Sequence, residues 1–213
     1  MAPSWLEKFI VREDASPDAR RTSESEKPTL KLQYTSLDDH KRTLTVEGET
    51  KPLYEISRKS VLGAWGSKCH ITAPNDNNRE VAFIDFHTFS YEIKFSSRNG
   101  HHIDMKYGKR TFKPSGGGLG ASTWKGTGME VAGKASWELR DEKSLVMVVS
   151  VDSEQVSGWV ELWREGLDPQ TVEELVVVGV SQIEEYKRML RNSKKSAVGA
   201  AASTGTVVGA QVV

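Results

Sequence analysis

Six consecutive residues near the C-terminal end, Leu175-Val176-Val177-Val178-Gly179-Val180, constrain this chain's fold more than any others. They lie inside a segment with strong helix-start chemistry. Asp168 can accept from the first free N–H groups as N-cap, and Pro169 suits the first helical position. Thr171 and Glu174 offer an alternative capping box. A helix apolar on every face has to be enclosed on every side, and the chain before it reads as strands, which are therefore expected to wrap it. From Asp168 to about Asn192 the helix would run about 35 Å, enough to thread a small barrel. A helix lying on an open sheet is the competing arrangement, but it would leave part of 175–180 facing water. Gly179 costs about 1 kcal/mol of helix propensity, which implies a close neighbour opposite it. The second half sets Ile183, Tyr186, Met189 and Leu190 against Glu184, Glu185, Lys187, Arg188 and Arg191. That half is expected to emerge at a barrel mouth with one face wet.

Upstream the dominant period is two. Leu30, Leu32 and Tyr34 alternate with polar residues, as do Leu44 and Val46, then Tyr91, Ile93 and Phe95, then Ile103, Met105 and Tyr107, then Trp137 and Leu139. Such alternation marks half-buried antiparallel strands. Turn signals recur at Glu47-Gly48, Asn75-Asp76-Asn77-Asn78, Asn99-Gly100, Tyr107-Gly108 and Asp141-Glu142-Lys143, a spacing of about 8–12 residues that suggests a sandwich or barrel of roughly ten to twelve strands. Residues 81–84 and 145–149 are apolar on both faces, so either they lie centrally or a flank caps their outer face. At Asn99-Gly100 a two-residue turn would set Phe95 opposite Asp104, which the faces reject. A three-residue connection with Gly100 at a bulge pairs Phe95 with Ile103, Ile93 with Met105 and Tyr91 with Tyr107. It also sets Lys94 against Asp104 and Glu92 against Lys106.

Residues 12–28 have almost nothing to bury and read as disordered, and 193–213 is an Ala/Gly/Val-rich stretch without amphipathic period. The expected organisation is a leader at 1–28, one barrel domain at 29–192 and a flexible tail at 193–213. With 29 basic and 29 acidic residues the net charge is zero, so no global field draws the chain to nucleic acid or anionic membrane. The single cysteine, Cys69, suits a reducing compartment. No secretory signal or 18-residue apolar run is present. The expectation is a monomeric intracellular protein, cytoplasmic or peripheral to a membrane.

The element order resembles that of the tubby C-terminal-like superfamily, which includes LURP-one-related proteins and phospholipid scramblases. The likeness rests on Pro52-Leu53-Tyr54-Glu55-Ile56, Glu80-Val81-Ala82-Phe83-Ile84-Asp85-Phe86, Ala135-Ser136-Trp137-Glu138-Leu139, residues 145–149 and the helix at 172–189. It covers about 30–192 and is nearest a fungal branch of undefined function. The resemblance implies a mainly β fold, a closed antiparallel barrel of about twelve strands around a central hydrophobic C-terminal helix. Tubby proteins bind phosphoinositide head groups through basic barrel residues, which implies an anionic phospholipid as ligand. Their lipid-binding motif has no residue-by-residue match here, so none of its positions is carried over. The cysteine-rich segment that precedes the scramblase barrel is absent.

Catalytic signatures are missing. Cys69-His70 and His101-His102 are adjacent pairs that point to opposite faces of a strand, so neither chelates a metal, and no CxxC or HExxH occurs. There is no GxSxG elbow. Pro114-Ser115-Gly116-Gly117-Gly118-Leu119-Gly120 lacks the Gly-Lys-Ser/Thr ending of a phosphate loop and reads as an inter-strand loop. No cofactor is expected. What remains is a set of cations, Arg98, Lys109, Arg110 and Lys113, beyond the two ends of the 91–107 hairpin. They support a non-enzymatic binding or scaffold module that meets a phospholipid head group or a protein through its outer surface. The alternative is an enzyme or small-ligand carrier with a site near His87, His101 and His102.

Overall fold

The structure is a computed structural model. It describes residues 27–203 apart from 62–63, 88–89, 97–100, 107–110, 117, 130–133 and 143. Twelve antiparallel strands form a nearly closed barrel: β1 (Leu30–Ser36), β2 (Lys41–Val46), β3 (Pro52–Val61), β4 (Ala64–Ala73), β5 (Arg79–Phe86), β6 (Ser90–Phe95), β7 (His102–Lys106), β8 (Thr111–Phe112), β9 (Ser122–Met129), β10 (Ala135–Arg140), β11 (Leu145–Val151) and β12 (Ser157–Leu162). They are followed by one helix, α1 (Pro169–Ser203). The sheet order is β7-β6-β5-β4-β3-β2-β1-β12-β11-β10-β9-β8. Every neighbour in the sheet is also a neighbour in sequence except β1 and β12, so a meander is rolled up and closed by joining its first and last strands. Its two ends, β7 and β8, face the one seam.

The alternation places Leu32, Tyr34, Leu44, Ile56, Ile71, Ile84 and Ile93 inside, each without solvent exposure. Helix α1 lies among them. Leu175, Val178 and Val180 are fully buried, and Val176 and Val177 nearly so, which discards the open-sheet arrangement. Asp168 does cap the helix: the Thr171 N–H donates to its Oδ1 at 3.0 Å and the Thr171 hydroxyl to its Oδ2 at 2.6 Å. Gly179 has the expected close neighbours. A Cβ there would sit 3.1 Å from Met147 Sδ, 3.1 Å from Val160 Cγ1 and 3.3 Å from Val149 Cγ2.

Three expectations need correction. The helix runs to Ser203, so the segment from 193 begins as helix rather than tail. The wet half is not wet: Glu184 is fully buried, and Glu185 and Lys187 are each 3% exposed, because the barrel wall offers them partners. The β6–β7 hairpin is shifted by two residues, pairing Ile93 with Ile103, Tyr91 with Met105 and Glu92 with Asp104. The Phe95 N–H donates to the His101 carbonyl at 3.2 Å and the two rings lie 5.1 Å apart. A shift of two keeps every side chain on its face, so the apolar pattern could not tell the two registers apart. Lys94 instead reaches Glu92 on its own strand at 3.2 Å.

Candidate functional site

The tail half of α1 carries its charges into the lumen. Strand β2 presents Arg42 on the same inward parity as Leu44, and β3 presents Arg58 on that of Ile56. Both guanidiniums are buried and both meet Glu184, Arg42 Nε at 3.1 Å and Arg58 Nη1 at 3.1 Å. The Tyr34 hydroxyl donates to the same carboxylate at 2.6 Å. Lys187, one helical turn on, donates to Tyr34 Oη at 3.1 Å, Ser36 Oγ at 2.9 Å and the Gln155 carbonyl at 2.7 Å. Glu185 takes Arg188 at 3.2 Å, while the Arg58 and Arg188 guanidiniums stack over Phe86.

Burial sets the proton affinities here. It pushes the Glu185 carboxyl up to about 7, against the pull of Arg188. It pulls Lys187 down to about 8, against the nearby Glu184 charge. Burial, then the Glu184 carboxylate, hold the Tyr34 hydroxyl well above its ordinary value and raise the Cys69 thiol to about 12. A thiol held protonated is a poor nucleophile, so Cys69 packs rather than reacts. The cluster ties one helix to three strands. Its acid–base groups already donate to and accept from one another.

At the opposite end, Glu174 joins the two sides of the seam to the helix. The Ser115 N–H, following β8, donates to it at 3.1 Å, and the Ser115 hydroxyl also donates. His101, preceding β7, lies 3.5 Å away. The glycine-rich loop therefore closes over the helix start. A Cβ on Gly116 would come within 2.6 Å of Thr171 Oγ1, so only glycine allows that approach. Where a phosphate loop would offer N–H groups to a ligand, this loop offers Ser115 to the protein's own carboxylate.

The three histidines of the catalytic alternative do not share a place. His101 turns inward to Glu174, whereas His102 and His87 are exposed. Because Ala82 pairs with Phe95, His87 lies five residues further along β5, about 16 Å from that hairpin end. Among the described residues no group of three His, Cys, Asp or Glu side chains could hold a metal ion. A cleft of about 460 Å³ lies outside the helix start, lined by Thr29, Leu30, Leu162, Arg164, Leu167 and Val172 among others. Its polar groups are engaged: Arg164 donates to Ser144 Oγ at 2.6 Å and the Thr29 hydroxyl to the Leu162 carbonyl at 3.1 Å.

Of the basic candidates, Arg98, Lys109 and Arg110 lie outside the described residues, and Lys113 is exposed just after β8. Sequence reasoning missed the interior cluster although a signal was present. Arg42 and Arg58 each sit two residues from an inward-facing apolar residue, and two cations at inward parity require an anion inside. Among the described residues no helix is long and apolar enough to cross a membrane.

No protein-family model and no curated protein matches the chain. Among solved structures, the X-ray structure of a protein from Arabidopsis thaliana is similar, with a TM-score of 0.41 and 9% identity over 71% of this chain and 90% of that one. A likeness at that level carries no argument about family or activity.

Proposed function

We propose that this chain is a non-enzymatic, tubby-like binding module that works through its outer surface, with an anionic phospholipid head group as ligand. The observation that carries this reading is the filled lumen. The helix occupies the space that ligand-carrying barrels leave open, and its buried charges are tied to Arg42, Arg58, Tyr34 and Ser36. Recognition is thereby left to the wall and rim. Lys109, Arg110 and Lys113 supply the anchor, with Arg98 as a further contact. Each cation near an anionic surface contributes about 1 kcal/mol, so three give a weak, salt-sensitive attachment that suits a peripheral cytoplasmic protein.

Sedimentation with phosphatidylcholine liposomes, with and without phosphoinositide, tests the proposal. Binding should require the anionic lipid. It should fall by about two orders of magnitude when Lys109, Arg110 and Lys113 are all replaced by Ala. Equal sedimentation of the two proteins would sink the lipid reading.

A further inference from the structure

One outward-facing patch of the barrel is dry. Met147 and Val149 point inward at Gly179, so Val148 between them points out, and Leu145, which pairs across a bulge with Arg140, two residues on from Glu138, shares that outer face. Trp137 packs its ring 5.1 Å from Tyr186 of the helix, so Glu138 next to it also points out. Yet Leu145 and Glu138 have no solvent exposure and Val148 has 4%. Val148 stands between Glu138 on β10 and Glu161 on β12, with Ser150 beyond it on its own strand. Side chains standing side by side on one sheet face do not hide one another to this degree. A glutamate at zero exposure on the outside of a barrel needs a cover. Further along, the Trp163 N–H donates to the Val146 carbonyl at 2.9 Å. The Trp163 indole N–H is itself shielded from solvent, with no hydrogen-bond partner among the described residues.

We propose that the cover is the chain's own N-terminal segment, residues 5–11, seated on the outer face of β10, β11 and β12. The chain enters the barrel beside this face: the Thr29 N–H donates to the Leu162 carbonyl at 2.8 Å, and Thr29 Oγ1 reaches the Arg164 carbonyl. The 17 residues from 12 to 28 are ample to cross three strands, a span of about 14 Å. The segment has the right chemistry for the seat. Ser4-Trp5-Leu6-Glu7 has the sequence pattern of a capping box, a Ser with a Glu three residues on. Trp5, Leu6, Phe9 and Ile10 then recur at helical spacing, giving one apolar stripe. Lys8 and Arg12 border that stripe on one side and complement Glu161. The stripe meets Leu145 and Val148, which explains why β11 is apolar on both faces although only one of them touches the core helix.

The test uses the full chain carrying Val148→Cys, with Cys69 as internal control. A charged, water-soluble maleimide should label Cys at 148 slowly. Adding Trp5→Glu and Phe9→Glu should accelerate labelling by about tenfold or more as the cover lifts, while Cys69 stays unlabelled and so reports an intact barrel. In the unmodified chain, nuclear Overhauser contacts should join the Trp5 ring to the Leu145 and Val148 methyls. Equal labelling rates with and without the Glu substitutions, or absence of those contacts, overturns the proposal. Protection that grows with protein concentration also overturns it, because the cover would then be a second copy.

Discussion

Replacing Glu184 by Gln removes the one carboxylate that faces both Arg42 and Arg58 while preserving its shape. Each pair is 3.1 Å apart, a gross attraction of about 5 kcal/mol at an effective dielectric of about 20. Desolvation cancels much of that while the pair is intact. After the substitution two guanidiniums remain buried, 1% and 2% exposed, without that counter-charge. Breaking one side of a buried pair costs about 3–5 kcal/mol, and this carboxylate serves two partners and Tyr34, so the upper half of that range applies. For a chain of this size the loss lowers the melting temperature by about 8–20 °C. Urea unfolding followed by circular dichroism should show a lower midpoint at unchanged slope. Removing all the charges together, by Arg42→Met, Arg58→Met and Glu184→Leu, should restore most of the stability. A loss below about 1 kcal/mol for Glu184→Gln, the scale of a solvated surface pair, would refute the claim that this network is buried and coupled.

Two further perturbations probe the helix. Glu185 is protonated more readily folded than unfolded, with its pKa raised from 4.5 to about 7, so its contribution to stability is complete below about pH 4.5 and is lost as pH rises through 7. Glu185→Gln should therefore match wild type near pH 4 and exceed it by about 3 kcal/mol at pH 8; a constant difference between the two across that range would contradict the assignment. Lys187 works in the opposite sense. Its lowered pKa makes stability rise between about pH 8 and 10.5. Gly179→Ala gains about 1 kcal/mol of helix propensity but forces Met147, Val149 and Val160 apart, at a cost of about 1–3 kcal/mol. Thermal melts should show a net loss, and a gain would mean the packing there is loose.

The architecture was legible because two periodicities sit side by side in the chain. Period-two alternation at Leu32–Tyr34, Leu44–Val46 and Trp137–Leu139 demands a half-buried sheet. The six apolar residues at 175–180 demand enclosure, and a sheet rolled around a helix satisfies both. Asp168 and Pro169 marked the helix start for local reasons, since a cap needs only neighbours in sequence. The β6–β7 register was beyond reach because a two-residue slip preserves both faces. What decides it is Phe95 lying against His101 at the barrel end.

The charges at 184, 185 and 187 show the division most plainly. In sequence they look like the solvated side of an amphipathic helix, the ordinary fate of such residues. Only the closed barrel brings Arg42 and Arg58, more than 120 residues earlier in the chain, to within hydrogen-bonding distance of Glu184. The same holds for Glu174, which meets Ser115 and His101 across the seam. By itself the sequence determined that strands enclose a helix, because burial of apolar surface follows from local pattern. Tertiary structure alone decided which charges go inside with it, because a buried charge is tolerable only where a partner distant in sequence is brought to meet it.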